Sequence, residues 1–197
     1  MSKRAAILES ATRLFAAKGY RETSASDLAR ATGSAESSIF YHFGNKQNLF
    51  LAVIESVEKE VLELYGRYLD ETEFDSGLQM LEDVVIFHLS VAAEKDMQFR
   101  LLHRHYAYEL AEVNEECRER LESIYDCLLD VFERAIVAGQ RDGTIGAVDQ
   151  RRTALLIFAM VDGVVRLRNH HVYVAGSLGS ELIAACRRIV IGNRNSG

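Results

Sequence analysis

No proline interrupts this chain of 197 residues. Proline inside a helix costs about 3 kcal/mol, so its absence leaves every segment able to continue as helix. Ala, Leu, Glu and Arg recur throughout, and the period-two alternation of half-buried strands is hard to find. The expected fold class is therefore all-α. With 48% apolar residues, a chain of this length can bury roughly 70% of its unfolded surface, enough for a core in one domain or in two.

Several broad classes drop out early. Ser2-Lys3-Arg4 leads straight into an amphipathic pattern, and no uninterrupted apolar stretch approaches about 18 residues, so export and membrane spanning are not expected and the expected location is cytoplasmic. Cys117 and Cys127 fall ten positions apart in one helical pattern, which separates them by roughly 15 Å, too far for a disulfide. Cys186 has no evident partner, and all three read as structural thiols. The net charge of -6 hides an asymmetry. Residues 1–50 carry seven Lys and Arg against four Asp and Glu, a balance of +3, and the remainder carries -9. A small basic head on an acidic body suits a protein that presents one end to a polyanion.

Apolar spacing and breakers predict about nine helices. The first spans 3–18, with Ile7, Ala11, Leu14 and Phe15 on one stripe and Gly19 as the stop. Ser24-Ala25-Ser26-Asp27 has the form of a capping box with Asp in place of Glu, opening a second helix that ends at Gly33. A third covers 35–43 and is broken by Gly44-Asn45. A fourth, 46–69, continues through Phe50, Val53, Ile54, Val57, Val61 and Leu64 for about six turns. Further helices are expected at 77–95, 97–113, 114–139, 149–171 and 180–191, with connections at 143–146 and 176–179 and a loose tail at 193–197.

The first three helices form a compact helix-turn-helix arrangement whose third member, within GSAESSIFYHFGNKQNL at 33–49, combines packing groups with phosphate-capable groups. Through Gly19-Tyr20, Thr23-Ser24, Asp27-Leu28-Ala29, Thr32-Gly33, Ser38-Ile39-Phe40-Tyr41-His42-Phe43 and Asn45-Lys46 to Leu49, this region resembles the TetR-type transcriptional regulators. The resemblance covers roughly the first 50 residues; beyond them it is one of length and helicity. It implies a DNA-binding domain at 1–48, a ligand-binding and dimerisation domain at 49–197, and a homodimer sealed by the last two long helices. It also implies repression relieved by a small molecule. Three positions depart from the family pattern: Phe40 where Tyr is more usual, Glu36 where a basic or amide residue is common, and Ser34 where an apolar residue usually follows the turn.

Duplex binding needs cations and donors for phosphates and a few side chains for base edges. The expected DNA-contacting set is Ser24, Glu36, Ser37, Ser38, Phe40, Tyr41, His42 and Lys46. Lys46 opens a helix, where its charge and the unpaired backbone amides approach a phosphate together, and Tyr41 and His42 offer directional donors. Ser37 and Ser38 are short enough to let their helix enter the major groove. Glu36 accepts well from the exocyclic amine of cytosine, or is simply an anion at a helix N-terminus. Phe40 contacts a thymine methyl or sugar, or packs. Leu14, Phe15, Leu28, Ile39 and Phe43 are assigned to the core of the head.

In the body, His88, Phe99, Tyr106, Tyr125, Phe132 and Phe158 are the expected pocket liners, a mixture suited to an aromatic or amphipathic small molecule; ordinary core packing is the competing reading. No metal or other cofactor is expected. His103 and His105 diverge by about 200° on a helix, and His170-His171 fit better as cations near a helix C-terminus. Residues 109–122 are expected to form a solvated acidic face. The dimer is expected to use Leu155, Phe158, Ala159 and Gly163 with Leu182, Ile183, Cys186 and Ile189, because two heads reading half-sites about 34 to 36 Å apart gain affinity and register.

The function expected from these features is a DNA-binding regulator, a dimeric repressor on a double-stranded operator, released by an effector. The alternatives are a helical small-molecule binding module and a DNA-bound scaffold without ligand-dependent release. A helical enzyme is disfavoured, for there is no phosphate loop, nucleophile elbow, paired metal ligands or spaced acid pair.

Overall fold

The computed structural model describes residues 2–169 and 178–191. Among these residues there are ten helices and no strand: α1 Lys3–Lys18, α2 Ala25–Thr32, α3 Glu36–Phe43, α4 Lys46–Glu71, α5 Gly77–Glu94, α6 Asp96–Leu102, α7 His105–Val113, α8 Glu115–Asp142, α9 Gln150–Asn169 and α10 Gly179–Ile191. The expectations at His170 and His171, at 176–177 and at the tail 193–197 lie outside the described residues.

The count exceeds the expected nine because the stretch 97–113 is two helices. Its break falls at His103-Arg104, where no glycine or proline announces it; Arg104 is extended (ψ 136°) and its guanidinium donates to the main-chain oxygens of Ala16 and Ala17. A contact 88 residues away thus overrides a helical sequence pattern.

By contact density the chain divides into two compact units, 1–63 with 95–124, and 64–94 with 125–197, so that α4 and α8 each contribute to both. In the first unit α1 packs on α2 and α6, and α2 on α3. Its core contains Ile7, Ala11, Phe15, Leu28, Ile39, Leu49, Phe50 and Val53, all buried. Of the five residues assigned to the head's core, four are buried and Leu14 is half-buried. In the second unit α5, α9 and α10 pack on one another. There the start of α5 meets α8 so closely that a Cβ on Gly77 would lie 1.8 Å from the Gly139 nitrogen, a separation only glycine permits. The Gly77 amide donates to the Asp142 carboxylate, and that of Leu78 to the Thr144 hydroxyl, which ties α5 to the turn after α8. All three cysteines are thiols: Cys117 and Cys186 are buried and Cys127 half-buried.

Candidate functional site

The supports of α3 are local. Ser24 caps α2: its hydroxyl accepts from the Asp27 amide (3.0 Å), and the Asp27 carboxylate accepts from the Ser24 amide (3.1 Å), so two otherwise orphaned donors are satisfied. Lys18 adds an ion pair to Asp27 at 3.1 Å. The Ser24 amide, then the Lys18 side chain and the Ser24 hydroxyl, hold the Asp27 carboxyl down at about 2. Gly33 ends the helix in the left-handed region (φ 61°), which makes the tight turn into α3 possible. The hydroxyl of Ser24 is thereby engaged as a cap, although the residue is exposed.

α3 buries Ile39 and Phe43 against the head core. At about 100° per residue, the direction opposite these two belongs to Ser37 and Tyr41. Both are exposed, Tyr41 at 85%, an unusual setting for a tyrosine unless its ring has a partner elsewhere. Glu36 and His42 are also exposed, and Ser38 and Phe40, on the flanks, are half-buried. Glu36 lies in the first turn, where a carboxylate is favoured by the helix dipole. Its direction around the axis is nearer the buried side than that of Ser37.

α4 begins two residues after α3, with the Asn45 side chain accepting from the Asn48 amide at 2.8 Å as a cap. Lys46 is its first residue. The Lys46 ammonium lies 4.4 Å from the centre of the Tyr20 ring and 3.5 Å from the Arg21 carbonyl oxygen. Burial lowers its pKa, against a smaller opposing pull from Glu22. A partly desolvated cation at the positive end of a 26-residue helix is electrostatically unfavourable by itself, and an anion placed there relieves both the desolvation and the dipole. At the other margin of α3, the Arg4 guanidinium lies 5.4 Å from the Phe43 ring. Arg4 counts among the bases of the head but is not in the expected DNA-contacting set, although a cation in the first turn of α1 is a simple electrostatic signal.

The six expected pocket residues divide. His88, Tyr125, Phe132 and Phe158 meet in the second unit, with His88 5.9 Å from Phe158 and 6.1 Å from Phe132, and Tyr125 6.2 Å from Phe158. Tyr65, absent from the expected set, hydrogen-bonds His88 Nδ1 at 2.9 Å. It continues the α4 stripe four residues past Val61, so the spacing held the signal. Burial, with smaller contributions from Cys127 and Asp162, raises the Tyr65 pKa well above the usual phenol value, so the hydroxyl keeps its proton and is available to donate. Phe99 and Tyr106 are not part of this cluster: both belong to the first unit, Phe99 in its core and Tyr106 stacked on Tyr20. A surface pocket of about 390 Å³ opens in the first unit among α1, α4 and α6, lined by residues including Leu8, Thr12, Arg13, Val57 and Met97, and none of the six lines it. Among the described residues no three His, Cys, Asp or Glu converge as a metal site, and no helix is long and apolar enough to cross a membrane.

Of the expected dimer residues, Phe158, Leu182 and Cys186 are buried against their own chain and face inward. Leu155 (53%) and Ala159 are exposed on α9, Gly163 is half-buried, and Ile183 and Ile189 are half-buried on α10. Leu156, missed by the sequence reading, is 61% exposed on the same face. The expected acidic face at 109–122 is also modified. Glu109 is turned toward Arg21 (2.9 Å), and Arg120 gathers Glu58, Glu116 and Glu55.

A family model described as bacterial regulatory proteins, tetR family, matches residues 7–53. Over the longer span, the chain is 27% identical to the HTH-type transcriptional regulator TtgR of Pseudomonas putida across 164 residues, covering 83% of this chain and 78% of that one. In the head alone it is 48% identical over 52 residues to the HTH-type transcriptional repressor AcnR of Corynebacterium glutamicum, 26% of this chain and 28% of that one. Among solved structures, the transcriptional regulator FadR from Bacillus subtilis in complex with stearoyl-CoA shares the fold, with a TM-score of 0.73 at 21% identity over 94% of this chain and 98% of that one.

Proposed function

Because the chain belongs to the TetR family of helix-turn-helix transcriptional regulators, we propose that it is a dimeric repressor whose α3 enters the major groove of an operator and whose second unit receives a small-molecule effector. The observation that carries this reading is the outward face of α3 and the start of α4. Ser37 and an 85%-exposed Tyr41 stand opposite the buried side of α3, and a partly desolvated Lys46 waits at a helix N-terminus. Lys46, His42 and Tyr41 contact phosphates; Ser37, Ser38 and Glu36 face bases, with Glu36 accepting from a cytosine amine. Ser24, whose hydroxyl and amide are both engaged in the cap, contributes by fixing the start of α2.

In this reading residues 1–48 bind DNA, and 49–197 take the effector and form the dimer. The His88, Tyr125, Phe132 and Phe158 cluster, with Tyr65 as its polar partner, favours an aromatic or amphipathic ligand. That FadR was solved with stearoyl-CoA supports the amphipathic alternative. The exposed face of Leu155, Leu156, Ala159 and Gly163, with Ile183 and Ile189, meets its copy across a two-fold axis. Effector binding shifts the population of dimers whose two reading helices match one operator spacing, with α4 as the continuous element that carries the shift.

The test is duplex binding across a salt series. Wild-type affinity falls steeply as salt rises, and Lys46→Ala combined with His42→Ala weakens binding and reduces the slope of log K against log salt by about 2, since the dimer loses two Lys46 ammoniums and each such phosphate contact accounts for roughly 0.9. Equal slopes in wild type and double variant remove the assignment. Operator selection with Glu36→Ala separately tests base readout: an unchanged preference at every position removes Glu36 from that role.

A further inference from the structure

The corner between α6 and α7 holds the α1–α2 loop through a set of polar and aromatic contacts. Arg104 donates from Nε (3.0 Å) and Nη2 (2.7 Å) to the Ala16 carbonyl oxygen and from Nη2 (2.6 Å) to that of Ala17, which satisfies carbonyls in the last turn of α1. Arg21 pairs with Glu109 at 2.9 Å, and Glu109 also lies 3.2 Å from His105. Between these ties, the Tyr106 ring lies flat on that of Tyr20, with centroids 3.7 Å apart and planes 2° from parallel. Phe15 and Phe50 border Tyr20 at 5.7 and 5.4 Å. With one face of Tyr20 covered by Tyr106, the Lys46 ammonium, 4.4 Å from the same centroid, must occupy the other face.

Tyr20 is therefore a plate held from behind by α7, and Lys46 rests on its front. A lysine has four side-chain torsions, and an ammonium already held at the start of α4 meets a phosphate with less ordering than one sweeping through solvent. We propose that Tyr106 is a positioning residue for DNA binding: by fixing the plane of Tyr20 it sets where the Lys46 ammonium stands, although it is not itself within the DNA-reading segment. This extends the proposed function and rests on its assignment of Lys46 to a phosphate. It also takes Tyr106 from the expected effector pocket and gives it to the nucleic-acid surface.

The salt slope of binding to a mixed-sequence duplex long enough for two half-sites provides the test, measured on the full-length chain for wild type, Lys46→Ala, Tyr106→Leu, Tyr106→Phe and the Lys46→Ala/Tyr106→Leu double variant. A slope is insensitive to the fraction of active protein, so partial unfolding of Tyr106→Leu does not imitate the effect. The expected result is a slope reduced by about 1.8 in Lys46→Ala, roughly 0.9 for the one contact that each subunit of the dimer loses, by a comparable amount in Tyr106→Leu, and no further in the double variant. Tyr106→Phe, which keeps the flat ring, recovers the wild-type slope. As an independent reading without DNA, the Lys46 ε-methylene protons lie upfield under the Tyr20 ring current and move downfield in Tyr106→Leu. A wild-type slope in Tyr106→Leu overturns the positioning role while leaving Lys46 on its phosphate, and so does a double variant that loses twice the slope. An unchanged slope in Lys46→Ala removes the phosphate contact itself and the inference with it.

Discussion

Two groups of aromatic residues in this chain are used in opposite ways. On α3 the ring of Tyr41 lies opposite the buried side, meets the edge of its neighbour His42 at 5.5 Å and is 85% exposed, on a helix of only eight residues. Around His88 the rings of Tyr65, Phe132 and Phe158 are turned inward, and His88 and Phe132 have no accessible surface. Burying rings is the default of a protein interior, and a hydrogen-bonded polar pair among them, such as the Tyr65 hydroxyl on His88, is compatible with plain core packing as well as with the proposed effector site. Leaving a large ring in water on a helix whose other side is buried is not a default. The exposed group therefore says more about function than the buried one, although the buried one contributes more to stability.

That contrast has a direct consequence for substitution. Phe132→Ala removes a fully buried ring and should cost about 3–5 kcal/mol of unfolding free energy, read by thermal or denaturant unfolding. A loss below about 1 kcal/mol would mean that the cluster is loosely packed and already resembles an open chamber. Tyr65→Phe keeps the ring and deletes the hydroxyl that meets His88 Nδ1; the expected loss is about 1–3 kcal/mol, the cost of depriving a buried polar group of that partner. An effector that hydrogen-bonds His88 in its place should recover most of this in Tyr65→Phe, which would sharpen the pocket assignment.

The head was more legible in the sequence than the body, for physical reasons that particular residues make plain. α1 was bounded as Lys3–Lys18 because its apolar stripe, its Gly19 stop and its first basic residues all coincide. The capping box at Ser24 and Asp27 and the left-handed Gly33 are local rules, decided within a few residues. The break at Arg104 was invisible because its cause, the carbonyls of Ala16 and Ala17, lies far away in the chain. The separation of Tyr106 from the His88 cluster was invisible for the same reason: its stacking partner Tyr20 is brought to it only by the tertiary fold. On α9 and α10 the periodicity identified apolar faces but could not say which side turns inward, so Phe158, Leu182 and Cys186 were grouped with residues that remain exposed.

Smaller effects probe the exposed side of the comparison. Asp27 has a folded-state pKa held down at about 2, below its unfolded value of about 4, so its contribution is fully present above pH 4 and is lost as pH falls toward 2. The stability difference between wild type and Asp27→Asn should therefore be constant above pH 5 and shrink between pH 4 and pH 2. A difference that persists at pH 2 would contradict the cap geometry. Tyr41→Ala should change unfolding free energy by no more than about 0.5 kcal/mol, as expected for an exposed side chain without packing, while weakening duplex binding. A large stability loss in Tyr41→Ala would mean that the ring packs in solution, and the contrast with Phe132 would disappear.

The most direct measurement is a nuclear magnetic resonance titration of the full-length protein with a short DNA duplex at low ionic strength, following backbone amides and the ring signals of Tyr41 and His42. The account predicts that the largest shifts fall within residues 34–46 and reverse on addition of salt. Association that leaves residues 34–46 unperturbed, or no association at low ionic strength, would contradict it.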